Sequence, residues 1–401
     1  MDTKTSRRKI FIIVIVTTVI AGVGFFFFGL LLPTAPTADG EPTSFFGRLP
    51  IIGGRVGSKV TEAPPATQQP VPGATPGAAE QRRLIQITDE PIIGPAISES
   101  GEKIFYYRKR DGHLVSNNFT GGQEETISNL TILNILEVLW SPDRKNAVVT
   151  YQDGEIIKRF ITEATSTPKV TFLPQESENP AWSPDNNTIF WMTRQGENRT
   201  LTSASRNGQN PRGRGFTTPI PDLQPIALTP DIVALIPKTA SFYETPLFVL
   251  NLKTLAQNTA LFTFGLTAIN DTDPKSQLVL YNSTNRLGAM QDIHAADLQS
   301  GKDTSWPIKT LPEKCVFAKD GTALFCAVPK EIPARGMPEV WYKGQVSFSD
   351  AFFRIDLNTS KAEQILSESG YDAVYLATSA DKKFLFFTDK KTSFLYSLLL
   401  D

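Results

Sequence analysis

The feature that most constrains this chain is a strand–turn–strand unit that recurs every 42 to 46 residues. Its clearest copies are VLWSPDRKNAVVTY at 138–151 and AWSPDNNTIFWM at 181–192, which set Asp143 and Asp185 42 residues apart. AISESGEKIFYY, starting at Ala96, puts Ser98 43 residues before Ser141, and IALTPDIVALI puts Asp231 46 residues after Asp185. CVFAKDGTALFCAV places Asp320 89 residues beyond Asp231, two periods, so an intervening copy is expected near Ile269. In the last copy, YLATSADKKFLFF, Ser379 lies 61 residues after Ala318, one period plus an insertion of about 20 residues.

Each copy has the same physical logic. An apolar strand runs into Ser-Pro-Asp-x, where Pro presets φ for the turn and Asp hydrogen-bonds the backbone ahead of it. Gly101 and Gly321 suit a turn position with positive φ, and Asn186 tolerates it. A second apolar strand follows, and two more come downstream, as at Phe248-Val249-Leu250 and Ala260-Leu261-Phe262. Four strands in 40–50 residues is the period of a propeller blade. The WSPD unit resembles the repeat of TolB-type and related WD-like β-propellers, over residues from about 82 to 401. Arg144 and Asn186 stand where that repeat carries Gly. The resemblance implies an envelope partner, although a linker occupies the place of the additional N-terminal domain.

The expected fold is therefore all-β, a seven-bladed propeller of four-stranded antiparallel blades over residues 82–401, about 46 residues per blade. The last copy supplies three strands, and residues 83–88 read as a lone outer strand that completes its blade and closes the ring.

Before the repeats, residues 10–32 form 23 residues without a charge. At 1.5 Å per residue they reach roughly 34 Å, enough to cross a bilayer core of about 30 Å. Lys4, Arg7, Arg8 and Lys9 precede them, so residues 1–9 are expected to be cytoplasmic and the propeller extracytoplasmic. A cleaved leader is the competing reading; its apolar run is shorter, and Pro36 disfavours cleavage after Ala38. Residues 33–81, rich in Pro, Ala, Thr and Gly, are expected to be a flexible tether spanning on the order of 40 Å. The expected location is a cell membrane, single-pass, with lipid met through residues 10–32.

Charge is balanced, 40 Lys+Arg against 41 Asp+Glu, so a nucleic-acid partner is not expected. Walker A, GxGxxG, HExxH, GxSxG and CxxC motifs are all missing, so no cofactor or metal is expected. The two histidines, His113 and His294, fall in different blades and suggest no catalytic pair. Cys315 and Cys326 bracket a short hairpin; if Ala318 pairs with Ala323 they fall opposite each other. Either a cross-strand disulfide or two small buried apolar side chains fits.

Two stretches stand out as candidate binding surfaces. The insertion at 329–349, between the second and third strands of the sixth copy, brings Trp341, Tyr342 and Phe348 beside Arg335 and Lys343, a mix enriched at hot spots. The alternative is a loop folded over its own blade with its aromatics buried. RNGQNPRGRG at 206–215 supplies Arg206, Arg212 and Arg214 for an anionic polymer or carboxylate, in a hairpin between third and fourth strands. The sequence favours a monomeric, non-catalytic module binding an envelope protein or wall polymer. A hydrolase or lyase at the channel is the alternative, which three or more inward-facing acidic or Arg residues at one mouth would favour.

Overall fold

The computed structural model describes residues 83–269, 277–367 and 370–400. The expected anchor and tether, residues 10–32 and 33–81, lie outside the described residues. Among the described residues no helix is long and apolar enough to cross a membrane.

Twenty-eight strands are found among the described residues, in seven four-stranded antiparallel sheets. Blade 1 is β2 (Ile92–Ile97), β3 (Ile104–Arg108), β4 (Leu114–Asn117) and β5 (Glu125–Ser128). Blade 2 is β6 (Ile135–Trp140), β7 (Asn146–Asp153), β8 (Ile156–Glu163) and β9 (Val170–Phe172). Blade 3 is β10 (Ser177–Trp182), β11 (Thr188–Gln195), β12 (Asn198–Ser205) and β13 (Arg212–Thr218). Blade 4 is β14 (Gln224–Thr229), β15 (Ile232–Ile236), β16 (Glu244–Asn251) and β17 (Gln257–Phe264). Blade 5 is β18 (Thr267–Ile269), β19 (Leu278–Asn282), β20 (Ile293–Asp297) and β21 (Asp303–Trp306). Blade 6 is β22 (Cys315–Phe317), β23 (Ala323–Pro329), β24 (Asp350–Asp356) and β25 (Ala362–Leu366). Blade 7 is β26 (Ala373–Thr378), β27 (Phe384–Asp389) and β28 (Leu395–Leu399), and β1 (Leu84–Gln86) pairs with β28 to complete it. The expected closing strand is in place, with Leu84 opposite Leu398 and Gln86 opposite Tyr396.

The core is divided rather than central. Seven apolar clusters fill the interfaces between neighbouring blades, one in each. The cluster between blades 7 and 1 joins Ile87, Phe386 and Leu395 to Ile92, Ile104 and Val115, so closure is made by packing as well as pairing. Burying both faces of a sheet explains the near-continuous apolar runs of the second strands, such as Ala147-Val148-Val149.

The repeated turn also fastens blade 2 to blade 3 and blade 6 to blade 7. Asp143, Asp185, Asp320 and Asp381 each accept a hydrogen bond from the backbone N–H two residues ahead. The position that favours Gly has φ of 75° at Gly101 and 68° at Gly321, but also 61° at Arg144, 60° at Asn186 and 58° at Lys382. Holding a side chain there costs about 1 kcal/mol. Two of the three non-glycine residues also join adjacent turns, since Asn186 Oδ1 accepts from Asp143 N at 2.8 Å and Lys382 Nζ reaches Asp320 at 2.6 Å. The tryptophan of the motif serves the same end. Trp140 Nε1 donates to Gly94 O at 2.8 Å and Trp182 Nε1 to Leu139 O at 2.9 Å, each reaching the inner strand of the preceding blade.

Cys315 lies directly opposite Cys326 in the β22–β23 ladder, and the two form a disulfide.

Candidate functional site

Strand parity divides the loops between two faces. The Ser-Pro-Asp turns and the third-to-fourth-strand hairpins share one face, here the turn face. Second-to-third-strand loops and blade-to-blade connections share the other, the loop face. The insertion therefore rises on the loop face and the arginine hairpin on the turn face.

The insertion is a strap rather than a free loop. It carries one helical turn, α1 (Glu339–Tyr342), and a small core of its own from Met337, Trp341 and Phe348 packed with Met290 and Leu311. Trp341 and Phe348 are 4% exposed and stack on each other with centroids 6.3 Å apart. These two aromatics, expected as contact residues, are thus interior. Arg335, Tyr342 and Lys343 are the members of that group left at the surface.

What draws the aromatics inward is a buried cation that the sequence did not announce. Lys314 is fully buried ahead of β22, its Nζ 2.8 Å from Asp350 Oδ2, Asp372 Oδ1 and Ala373 O. Asp372 accepts from Trp341 Nε1 at 3.0 Å, Ser347 Oγ at 3.2 Å and Phe348 N at 3.1 Å, so one carboxylate ties the strap to blade 7. Lys390 Nζ donates to Trp341 O at 2.5 Å and lies 3.8 Å over its indole ring. On the other side Glu339 accepts from Ser241 N at 2.7 Å and Ser241 Oγ at 3.2 Å. The strap thereby joins the loops of blades 4, 6 and 7 across the loop face.

Beside it opens a cavity of about 340 Å³, lined among others by Asn179, Gln224, Lys238, Thr239, Glu313 and Tyr342. The Tyr342 hydroxyl donates to Glu313 Oε1, and its ring remains half-exposed. Burial pushes the Glu313 carboxyl above its ordinary range, against the hydrogen bond from Tyr342 and the charge of Lys314. Burial, together with the Glu313 charge, raises the Tyr342 hydroxyl well above its own. A carboxyl with a perturbed pKa in a concave polar pocket is the usual mark of a binding or reactive site.

Blades 2 and 3 add a charged group. Glu178, on inner strand β10, meets Arg199 and Arg194 at 3.4 Å each, and Arg159 donates to Ser177 O at 2.6 Å. Burial raises the Glu137 carboxyl, with Arg159 opposing; burial lowers Arg159, with Glu137 and Glu178 opposing. Glu137, on inner strand β6, also acts on Tyr375 of β26, whose hydroxyl burial pushes up.

The arginine hairpin does not join this site. Arg206 bonds Asp143 at 3.1 Å and Asn146 at 2.5 Å, clasping blade 3 to the turn of blade 2. Arg212 is exposed and Arg214 half-buried on outer strand β13. His113 contacts Arg108 at 3.1 Å and Thr131 at 3.2 Å, while His294 pairs with Asp303 at 2.9 Å in blade 5. Among the described residues no group of three or more His, Cys, Asp or Glu is arranged to hold a metal ion.

No family model matches the chain, and no curated protein sequence matches it. Its fold is similar to that of an oligogalacturonate lyase from Vibrio parahaemolyticus, at 10% identity and TM-score 0.56, covering 79% of this chain and 91% of that one. An oligogalacturonate lyase in complex with manganese is similar at 11% identity and TM-score 0.56, over 80% and 90% of the two chains. A prolyl endopeptidase is similar at 10% identity and TM-score 0.50, over 82% of this chain and 53% of its own. At such identities the likeness is one of fold.

Proposed function

We propose that the protein is an extracytoplasmic, membrane-anchored binding module whose loop face holds an envelope protein or wall polymer. Residues 10–32 serve as anchor and 33–81 as tether. The observation that carries the reading is the cavity between the strap and blades 3–5, which Asn179, Gln224, Lys238, Thr239 and Tyr342 line beside Glu313. Amide and hydroxyl groups interspersed with Asp222, Lys238 and Glu313, charges of both signs, suit a polar chain bearing hydroxyl or amide groups. The disulfide is consistent with an oxidising compartment. Co-sedimentation of the purified protein with isolated wall polymer, and cross-linking in membranes, test it. Tyr342→Ala and Lys238→Ala are expected to weaken retention about tenfold, near 1.4 kcal/mol. Retention that neither substitution changes would sink the reading.

A second reading, an envelope lyase or hydrolase, draws on the fold likeness to oligogalacturonate lyases and on the Glu137–Arg159–Glu178–Arg199 group. It predicts turnover of an acidic polysaccharide that Arg159→Gln abolishes. Incubation with pectic and wall polysaccharides without product formation argues against it.

A further inference from the structure

The most unusual chemistry in the molecule is the enclosure around Lys314. Lys314, Asp350 and Asp372 have fully buried side chains, and the Trp341 and Phe348 rings lie 5.3 Å and 5.5 Å from Nζ. An amine is thus held 2.8 Å from a carboxyl oxygen, out of water, with a second carboxyl at the same distance. Taking three ions out of water is costly, and replacing such a group by apolar side chains often leaves a protein no less stable. Trp341, Ser347 and Phe348 also donate directly to Asp372, so a single acid facing Lys314 would serve to fasten the strap, and Asp350 stands there as a second.

We propose that Lys314 and Asp350 become joined by an intramolecular isopeptide bond, with Asp372 carrying the proton. Transfer of one proton from the ammonium to Asp350, 2.8 Å away, gives the neutral amine and neutral carboxyl that condensation requires. The Nζ lone pair then attacks Asp350 Cγ and forms the C–N bond. Asp372 takes the proton released by nitrogen and delivers it to the departing hydroxyl; the C–O bond breaks and one water leaves. Amine plus carboxylic acid gives amide plus water, with no change of oxidation state and no co-reactant. The N–H of Ala373, 2.7 Å from Asp350 Oδ2, steadies the oxygen on which charge develops and which remains as the amide carbonyl.

The two acids are suited to different tasks. Burial pushes the Asp350 carboxyl up to about 6, against the charge of Lys314, so it accepts a proton readily. The Asp372 carboxyl is raised by burial, but the Lys314 charge and the hydrogen bonds from Lys314, Trp341 and Phe348 hold it below the ordinary range. The bonds from Trp341 and Phe348 remain to favour its ionised form once Lys314 has given up a proton. Pairs of carboxyls whose environments separate their pKa values are how acid and base roles are divided. Fixed juxtaposition supplies the effective concentration that a condensation in water lacks, on the order of 10⁵ M or more. The product would tie the entry to β22 to the start of β24, next to the disulfide that ties β22 to β23.

Intact-mass measurement of the full chain, purified in detergent and then denatured and reduced, tests the proposal. The expected mass is one water below that of the sequence, and tryptic digestion is expected to give a branched peptide joining Lys314 to Asp350. Lys314→Arg and Asp372→Asn are each expected to restore the full mass and abolish the branched peptide. A folded wild-type protein of full mass, with Lys314 and Asp350 in separate peptides, overturns the proposal whatever the variants do. A branched peptide that persists in Asp372→Asn overturns the role given to Asp372.

Discussion

Deleting residues 83–88 removes β1 and opens the ring at the one blade that combines the two ends of the described chain. The loss is estimated from the contacts of that segment. Leu399 N donates to Arg83 O at 2.8 Å, Arg83 Nε to Leu399 O at 2.9 Å, Ile87 N to Leu395 O at 2.8 Å, and Leu395 N to Thr88 Oγ1 at 3.0 Å. These four hydrogen bonds, at about 1 kcal/mol each, come to about 4 kcal/mol before the β1–β28 ladder is added. Ile87, 6% exposed in the interface between blades 7 and 1, adds about 2–3 kcal/mol of burial. The sum, about 6–7 kcal/mol, is comparable with the whole stability of a typical domain, about 5–15 kcal/mol. Urea unfolding followed by tryptophan fluorescence is a suitable assay, because Trp140 and Trp182 sit in blades 2 and 3, away from the seam. The truncated protein is expected to lose its single cooperative transition or shift it to much lower urea. Ile87→Ala, a milder change, is expected to cost about 2–5 kcal/mol. An unchanged midpoint and slope after the deletion would refute ring closure as a source of stability.

Trp140→Phe removes the donor to Gly94 O and is expected to cost about 1–3 kcal/mol, with Trp182→Phe similar; chemical denaturation that finds neither effect rules out the indole bonds as blade fasteners. The Asp320 carboxyl is depressed to about 2, first by its hydrogen bond from Lys382. A depressed folded pKa contributes stability that is present above the ordinary carboxyl value, near 4, and is lost as pH falls through about 2. Wild type and Lys382→Met should therefore differ slightly in melting temperature at neutral pH and converge at the acid end, the difference shrinking in high salt; a gap that survives at low pH contradicts the clasp. Replacing Cys315 and Cys326 by Ser is expected to cost about 3 kcal/mol from loop-closure entropy, and reductant should shift the wild-type melt but leave the double variant unmoved.

Much of the ring was legible because it rests on local chemistry repeated at a fixed interval. Ser-Pro-Asp sets a turn by its own dihedrals and hydrogen bonds, so one copy predicts the next. Knowing the hairpin register from Ala318 and Ala323 was enough to place Cys315 opposite Cys326. The closing strand was legible because three strands at the end and one at the beginning make a full blade. The substituted glycine positions looked like departures, yet Arg144 and Lys382 take the same positive φ, and Lys382 uses its side chain to grip the next turn.

The strap was legible as an insertion but not as an interior, and the reason is distance along the chain. Trp341 and Phe348 beside Arg335 and Lys343 fit an exposed hot spot and a folded loop equally well. The choice is made by Asp372, 31 residues beyond Trp341, and by Lys314, 58 residues before Asp372. Nothing in either neighbourhood repeats, so no periodic signal marks them. Parity, by contrast, settles which candidates can cooperate. A loop after a second strand and a hairpin after a third strand emerge on opposite faces of any four-stranded blade. Arg206 and the strap residues therefore never formed one site, and the repeat alone carried that conclusion. The candidate ligand face is accordingly the loop face, where Tyr342 and Glu313 frame the cavity and Lys314 holds the frame closed from within.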